Sequence, residues 1–231
     1  RNGKAADVGI IENGKTTAAD AGIAAYNAFV RASRREFESL GVTTIPAELP
    51  SGLGVSAPDV EVSATLANGF KVKINALLVD NVGSATAAFD ARYAELSERA
   101  DVIAYNGHAG LGQNVRALAR KGRWTADQYV IVFMNGCDTF AYVDGSLAQT
   151  RASVNPSDPT GTKFMEFVTN AMPSFFSSMP NASMSLVRGL MGFSSPKTYD
   201  QMLEQIDRSE MVLVTGEEDN VFRPGMPIGG Q

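Results

Sequence analysis

Asp101-Val-Ile-Ala-Tyr-Asn-Gly107 followed by His108, and Tyr129-Val-Ile-Val-Phe-Met-Asn-Gly136 followed by Cys137, decide the reading of this chain. Each is a short apolar run that closes on Asn-Gly and then on a reactive side chain, and the chain has one histidine and one cysteine in all. Continuous apolar runs of this length are the pattern of strands buried on both faces of a parallel sheet. The two reactive residues are 29 positions apart. That interval holds a loop, a short helix over Asn114–Lys121 stopped by Gly122, a second loop and the second strand, which is the content of a right-handed strand-helix-strand crossover. If the strands are neighbours, their ends lie about 5 Å apart, and His108 and Cys137 meet at the C-terminal edge of the sheet, where open parallel sheets bind ligands.

Outward from this centre, the pattern predicts an α/β fold. The sheet is mostly parallel and flanked by helices on both faces, with a β-hairpin near the start. Thr16–Leu40 reads as a helix and Gly41–Pro58 as a loop rich in Gly, Pro and Ser. Alternation over Val60–Val79, broken by Asn68-Gly69, predicts the hairpin. Ser84–Ala100 reads as a second helix. Beyond Cys137, Asp144–Thr162 reads as an irregular loop placed to line a cleft. Lys163–Met172, Ser183–Met191 and Thr198–Asp207 read as helices, and Met211–Thr215 as a last strand. Residues 1–58 form an N-terminal helix and loop, expected as an appendage, and 59–231 the domain that carries the dyad.

Composition bounds the function. Hydrophobic residues make up 44% and charged residues 19%, ordinary for a globular chain. A net charge of -5, with no basic run interleaved with aromatics, argues against a nucleic-acid or anionic-membrane surface. No apolar stretch is long enough to span a bilayer. One cysteine excludes an internal disulfide framework. The chain opens at Arg1 without a methionine, so a trimmed product, with an N-terminal domain or propeptide before it, is expected; localisation is not legible.

A thiol beside an imidazole is the equipment of nucleophilic catalysis: the base holds the thiol proton, the thiolate attacks a carbonyl carbon, and backbone N–H groups hold the oxyanion. Those at Ala109 and Cys137 are placed for the last role. On Val102-Ile-Ala-Tyr-Asn-Gly-His108-Ala-Gly110 and Val130-Ile-Val-Phe-Met-Asn-Gly-Cys137, the stretch of about 71–144 resembles the caspase-like (clan CD) cysteine peptidases, which include caspases, legumains, gingipains, clostripain and separase. The resemblance implies a caspase-like three-layer sandwich and a cysteine endopeptidase acting on polypeptide, with His108 as base and Cys137 as nucleophile. It implies no required cofactor, with calcium as a structural or activating ion. The family usually has glycine directly after the histidine, where this chain has Ala109. The pentapeptide Gln-Ala-Cys-x-Gly is absent, and Asn135 stands where metacaspases carry an acid.

Other readings stand beside this one. Gly107-His-Ala-Gly-Leu-Gly112 matches neither the hydrolase elbow nor the dinucleotide loop. One histidine and one cysteine make a zinc site improbable. Glu217-Glu218-Asp219-Asn220 has oxygen ligands suited to calcium, or is a solvated acidic turn. Asp80, expected at the end of the strand before that of His108, and Asp138, next to the cysteine, either line a pocket for a basic side chain or act as cap and turn residues. Asn106 either orients His108 or makes a turn. Phe175, Phe176, Met179 and Met184 read as core. A non-catalytic caspase-like binding or scaffold domain, and another cysteine-dependent acyl transferase or amidase, remain as alternative functions.

Overall fold

A computed structural model describes residues 11–12, 15–16 and 20–216. Glu217–Asn220, the calcium candidates, lie outside the described residues. The chain divides into two compact units, Arg1–Asp80 and Asn81–Gln231.

In the first unit, β1 (Ile11–Glu12) and β2 (Lys15–Thr16) form a two-residue antiparallel ladder. Helix α1 spans Ala21–Glu36, shorter than the 16–40 expected. The Asp20 side chain caps it by accepting from the Ile23 N–H at 2.7 Å, since a carboxylate at this position satisfies a donor that the first turn cannot. Strands β3 (Thr43–Ile45), β4 (Asp59–Thr65) and β5 (Lys71–Leu77) make an antiparallel sheet in that order. Val60, Val62 and Ala64 point inward, and the Tyr26 hydroxyl of α1 donates to Ala57 O at 2.6 Å. β3 pairs with β4, Thr43 opposite Ser63, so the boundary expected at 58/59 falls between two strands of one sheet.

The second unit holds α2 (Ala87–Ser97), β6 (Val102–Asn106), α3 (Gln113–Lys121), β7 (Val130–Asn135), α4 (Ser146–Val154), β8 (Met165–Asn170), α5 (Met179–Leu190), α6 (Tyr199–Leu203) and β9 (Val212–Gly216). Its sheet runs β6-β7-β8-β9; the first three strands are parallel and β9 is antiparallel to β8. The molecule is thus α/β, with a mostly parallel four-stranded sheet and a separate antiparallel one. Ile131, Phe133 and Val168 pack under Ala182, Leu186 and Met202 of α5 and α6. The alternate residues Val130, Val132 and Met134 are buried too, as a continuously apolar strand requires.

Two expectations are corrected. The helix expected over 163–172 is the strand β8, all six of whose residues are buried. A short apolar run does not tell a buried strand from a buried helix, and here the strand completes hydrogen bonds that both β7 and β9 need. The irregular loop expected over 144–162 contains α4. Its buried positions are Leu147 and Arg151, one helical turn apart, so the inward stripe has an arginine where periodicity looks for an apolar residue.

Candidate active site

β6 and β7 end in register, Asn106 opposite Asn135. His108 and Cys137 are therefore each two residues past a paired strand end, on adjacent parallel strands. The backbones stay together one step further, since the Gly107 N–H donates to Asn135 O at 3.1 Å. They are also packed tightly: a Cβ built on Gly136 would stand 2.5 Å from Gly107 O and 3.4 Å from Ala109 N. That contact brings the backbone nitrogen of Ala109, a buried residue, up to the segment that carries Cys137. His108 is exposed and Cys137 half-buried.

The site rests on a row of carboxamides. β6, β7 and β8 all end in asparagine: Asn106, Asn135 and Asn170. The Asn135 amide donates to Asn106 Oδ1 at 2.9 Å, and Ser183 Oγ of α5 donates to the same oxygen at 2.9 Å. Ser174 Oγ donates to Asn135 Oδ1 at 2.9 Å. Asn135 and Asn170 have no exposed surface; buried polar groups are mostly partnered, as both ends of the Asn135 carboxamide are, while Asn170 Nδ2 has no partner among the described residues. Where β7 and β8 part, side chains continue the ladder. Gly136 N–H donates to Asn170 Oδ1 at 3.3 Å, and the Thr139 hydroxyl donates to Met134 O at 2.5 Å and accepts from Asn170 N–H at 2.9 Å. The splay between these strands is thus fixed rather than slack. Asn106 faces Asn135 and Ser183 in this row, which gives it a place in the support beneath the dyad.

The histidine loop is held by Tyr105 and Asn114. Tyr105 donates to His108 O at 2.9 Å, and the Asn114 amide donates to the same carbonyl at 2.7 Å and to the Tyr105 hydroxyl at 2.9 Å. Burial pushes the Tyr105 phenol up to about 12, against the pull of Asn114, so it remains a proton donor. Beyond the cysteine, Asp138 takes the left-handed conformation (φ 53) that starts a 3-10 turn over Thr139–Tyr142, and its N–H donates to Met172 O at 3.3 Å. Asp138 therefore serves as a turn residue directly beside Cys137. Asp144 pairs with Arg116 at 3.0 Å. Burial would raise its carboxyl, but hydrogen bonds from Ser146 and Arg116 outweigh that and hold it below the usual range.

The β8–α5 connection, 171–178, supplies partners that sequence reasoning missed. Cys137 Sγ donates to Ser174 O at 3.3 Å, and the Phe176 ring stands edge-on to His108 with centroids 5.1 Å apart. Of the four residues expected in the core there, Met179 and Met184 are buried, while Phe175 is exposed and Phe176 half-buried beside the histidine. The signal that could have found them is position: this connection leaves the same sheet edge as the other two once β8 is read as a strand. Asp80 is exposed and closes the first unit, three residues past β5 of the antiparallel sheet; it does not end a strand of the sheet that carries His108. Among the described residues, no three His, Cys, Asp or Glu side chains converge in a way that could hold a metal ion.

The arrangement offers a thiol, an imidazole and a close-packed backbone at one sheet edge, the parts needed to attack a carbonyl carbon and hold the oxyanion. Comparisons of the chain with protein-family models, with curated proteins and with solved structures find no match.

Proposed function

We propose that the chain is a cysteine endopeptidase built on a caspase-like three-layer sandwich. The observation that carries this reading is the register of β6 and β7, which puts the one histidine and the one cysteine at equivalent points past adjacent parallel strand ends. In the proposed reaction the Cys137 thiol gives its proton to His108 and Sγ bonds to the peptide carbonyl carbon. The carbonyl pair moves onto oxygen, facing the N–H groups of Ala109 and Cys137. The C–N bond then breaks, and the amine leaves with the proton returned by His108. A water, deprotonated by His108, attacks the thioester, releases the carboxylate product and restores the thiol. The chemistry needs no cofactor.

The test is cleavage of a proteome-derived peptide mixture, read by mass spectrometry, by wild type and Cys137→Ala, with and without calcium. New termini in the wild-type digest alone support the reading; identical digests in both calcium conditions, from folded protein, refute it.

One observation favours a second reading. The Cys137 thiol donates to the Ser174 carbonyl, a partner on the β8–α5 connection rather than the imidazole, which suits a silent dyad in a binding or scaffold domain. A small electrophile separates the two, because an activated thiolate reacts far faster than a hydrogen-bonded thiol. A cysteine-dependent amidase or acyl transferase would share the dyad and differ in substrate.

A further inference from the structure

Exposed large apolar side chains are ordinary one at a time and informative when they gather. Of the eight such side chains among the described residues of the second unit, four stand on the three connections that leave the dyad's edge of the sheet. Leu111 (71% exposed) is on the histidine loop, Phe140 (47%) on the turn after Cys137, and Met172 (45%) and Phe175 (47%) on the β8–α5 connection. These connections are tied to one another at the site. Asp138 N–H bonds to Met172 O, and Cys137 Sγ to Ser174 O. The histidine loop meets the cysteine turn where a Cβ on Gly112 would lie 2.9 Å from Tyr142 O. Phe176, the next residue after Phe175, stands edge-on to the His108 ring and brings apolar surface to the imidazole itself.

The nearby carboxylates have partners of their own. Asp144 is paired with Arg116 and accepts from Ser146 N–H. Glu210 accepts through Oε1 from Phe175 N–H at 3.2 Å and from the Ser178 hydroxyl, while its Oε2 is buried without a partner among the described residues. Asp138 is the remaining acid beside the nucleophile, and its place is set by the turn it begins.

We propose that this site accepts polypeptide carrying a large apolar side chain next to the bond attacked, seated on the rim formed by Leu111, Phe140, Met172 and Phe175. The inference rests on the peptidase reading and names its substrate class: leucine-, methionine- or phenylalanine-like rather than basic or acidic. Burying a side chain of that size on an apolar wall is worth roughly tenfold or more in selectivity.

Peptidyl acyloxymethyl ketones that differ only in the residue beside the ketone (Leu, Phe, Lys or Asp) test it without requiring turnover. The Cys137 sulfur displaces the carboxylate, a C–S bond replacing a C–O bond, and the rate is read by mass spectrometry relative to that of iodoacetamide on the same protein. The Leu and Phe probes are expected to react about tenfold faster than the Lys and Asp probes, and the preference is expected to fall below about threefold in the Met172→Ser, Phe175→Ser double variant, both sites being exposed. A fastest Lys probe would overturn the proposal in favour of a pocket at Asp138. Equal rates for all four in wild type would overturn it outright, whatever becomes of the double variant. Apolar selectivity without cleavage of any peptide would sink the peptidase reading and the substrate class that rests on it, leaving only an apolar binding surface; cleavage with no apolar preference would keep the peptidase and overturn this inference.

Discussion

Asn-Gly marks the tip of the β4–β5 hairpin and also the ends of β6 and β7, and the two settings use it differently. At the hairpin the dipeptide solves a local problem. The Asn68 side chain accepts from Phe70 N–H at 3.1 Å, and Gly69 takes φ +86, where a side chain is strained although nothing lies within 4 Å of where its Cβ would be. At the dyad the problem is tertiary. Gly136 is absent from the residues with positive φ, but its hypothetical Cβ would collide with the Gly107 carbonyl, and Asn135 is spent on Asn106, Ser174 and the Met179 carbonyl. One dipeptide is a turn signal because of its own torsions, and the other because of what two strand ends must do to touch.

Alanine at the two glycines should widen this contrast most. Gly136→Ala forces a Cβ into backbone and is expected to cost about 3 kcal/mol, as overpacking of a filled interior does. It should also slow labelling of Cys137, because the strand ends must part. Gly69→Ala meets open space and a left-handed torsion alone, so about 1 kcal/mol is expected, with labelling unchanged. Urea unfolding and a thiol-labelling time course on both variants decide it. Equal costs would mean that the close approach at the dyad is relaxed in solution.

The asparagines come next. Asn135→Ala takes the Ser174 hydroxyl's acceptor away in a buried place and one of the two donors from the half-buried Asn106, and about 2 kcal/mol is expected. Asn68→Ala removes one exposed hydrogen bond and should cost under about 0.5 kcal/mol. If Asn135→Ala lost stability but kept the wild-type rate and pH profile of Cys137 labelling, the carboxamide row would be a structural seam with no part in placing the thiol.

This contrast also explains what was legible in the sequence. β6, β7, the hairpin and the glycine-ended α3 announce themselves because their burial or torsions follow from their own residues. β8 and α4 do not, because each carries a buried charged residue where the pattern wants an apolar one. Glu166 is partnered by the Tyr199 hydroxyl, and Arg151 donates to the carbonyls of Thr125 and Gln128 with the Trp124 ring 5.9 Å from its guanidinium carbon. Buried charges are tolerated when so partnered, but the partners lie 23 to 33 residues away and leave no local trace. The placement of His108 and Cys137 past neighbouring strand ends was readable because each is unique in the chain and follows a recognisable strand. Ser174 and Phe176 were not, since their place at the site depends on β8 being a strand.

The turn at Asp158–Gly161 combines the two cases and gives the smallest but most specific test. Like the hairpin it is held locally, with the Asp158 carboxylate accepting from Gly161 and Lys163 N–H at 3.0 Å each and from the Thr160 hydroxyl at 2.7 Å. Like the dyad it is buried and crowded: Asp158 is 4% exposed, and Gly161, at φ +72, would put a Cβ 1.8 Å from Ala148 O. Burial alone would raise the Asp158 carboxyl above its ordinary value of 3.8, but the bonds from Thr160, Lys163 and Gly161 overcome that and hold it lower. A carboxyl lowered on folding contributes stability that is fully present above the unfolded value and is lost as pH falls through the folded one. Asp158→Asn is therefore expected to cost about 1.5 kcal/mol near pH 7, and the gap from wild type should close as pH drops below 3.8. Urea unfolding of both proteins between pH 7 and pH 2 reads this directly. A gap that stayed constant to the acid end would show that shape rather than charge holds the turn, placing it with Gly136 instead of between the two.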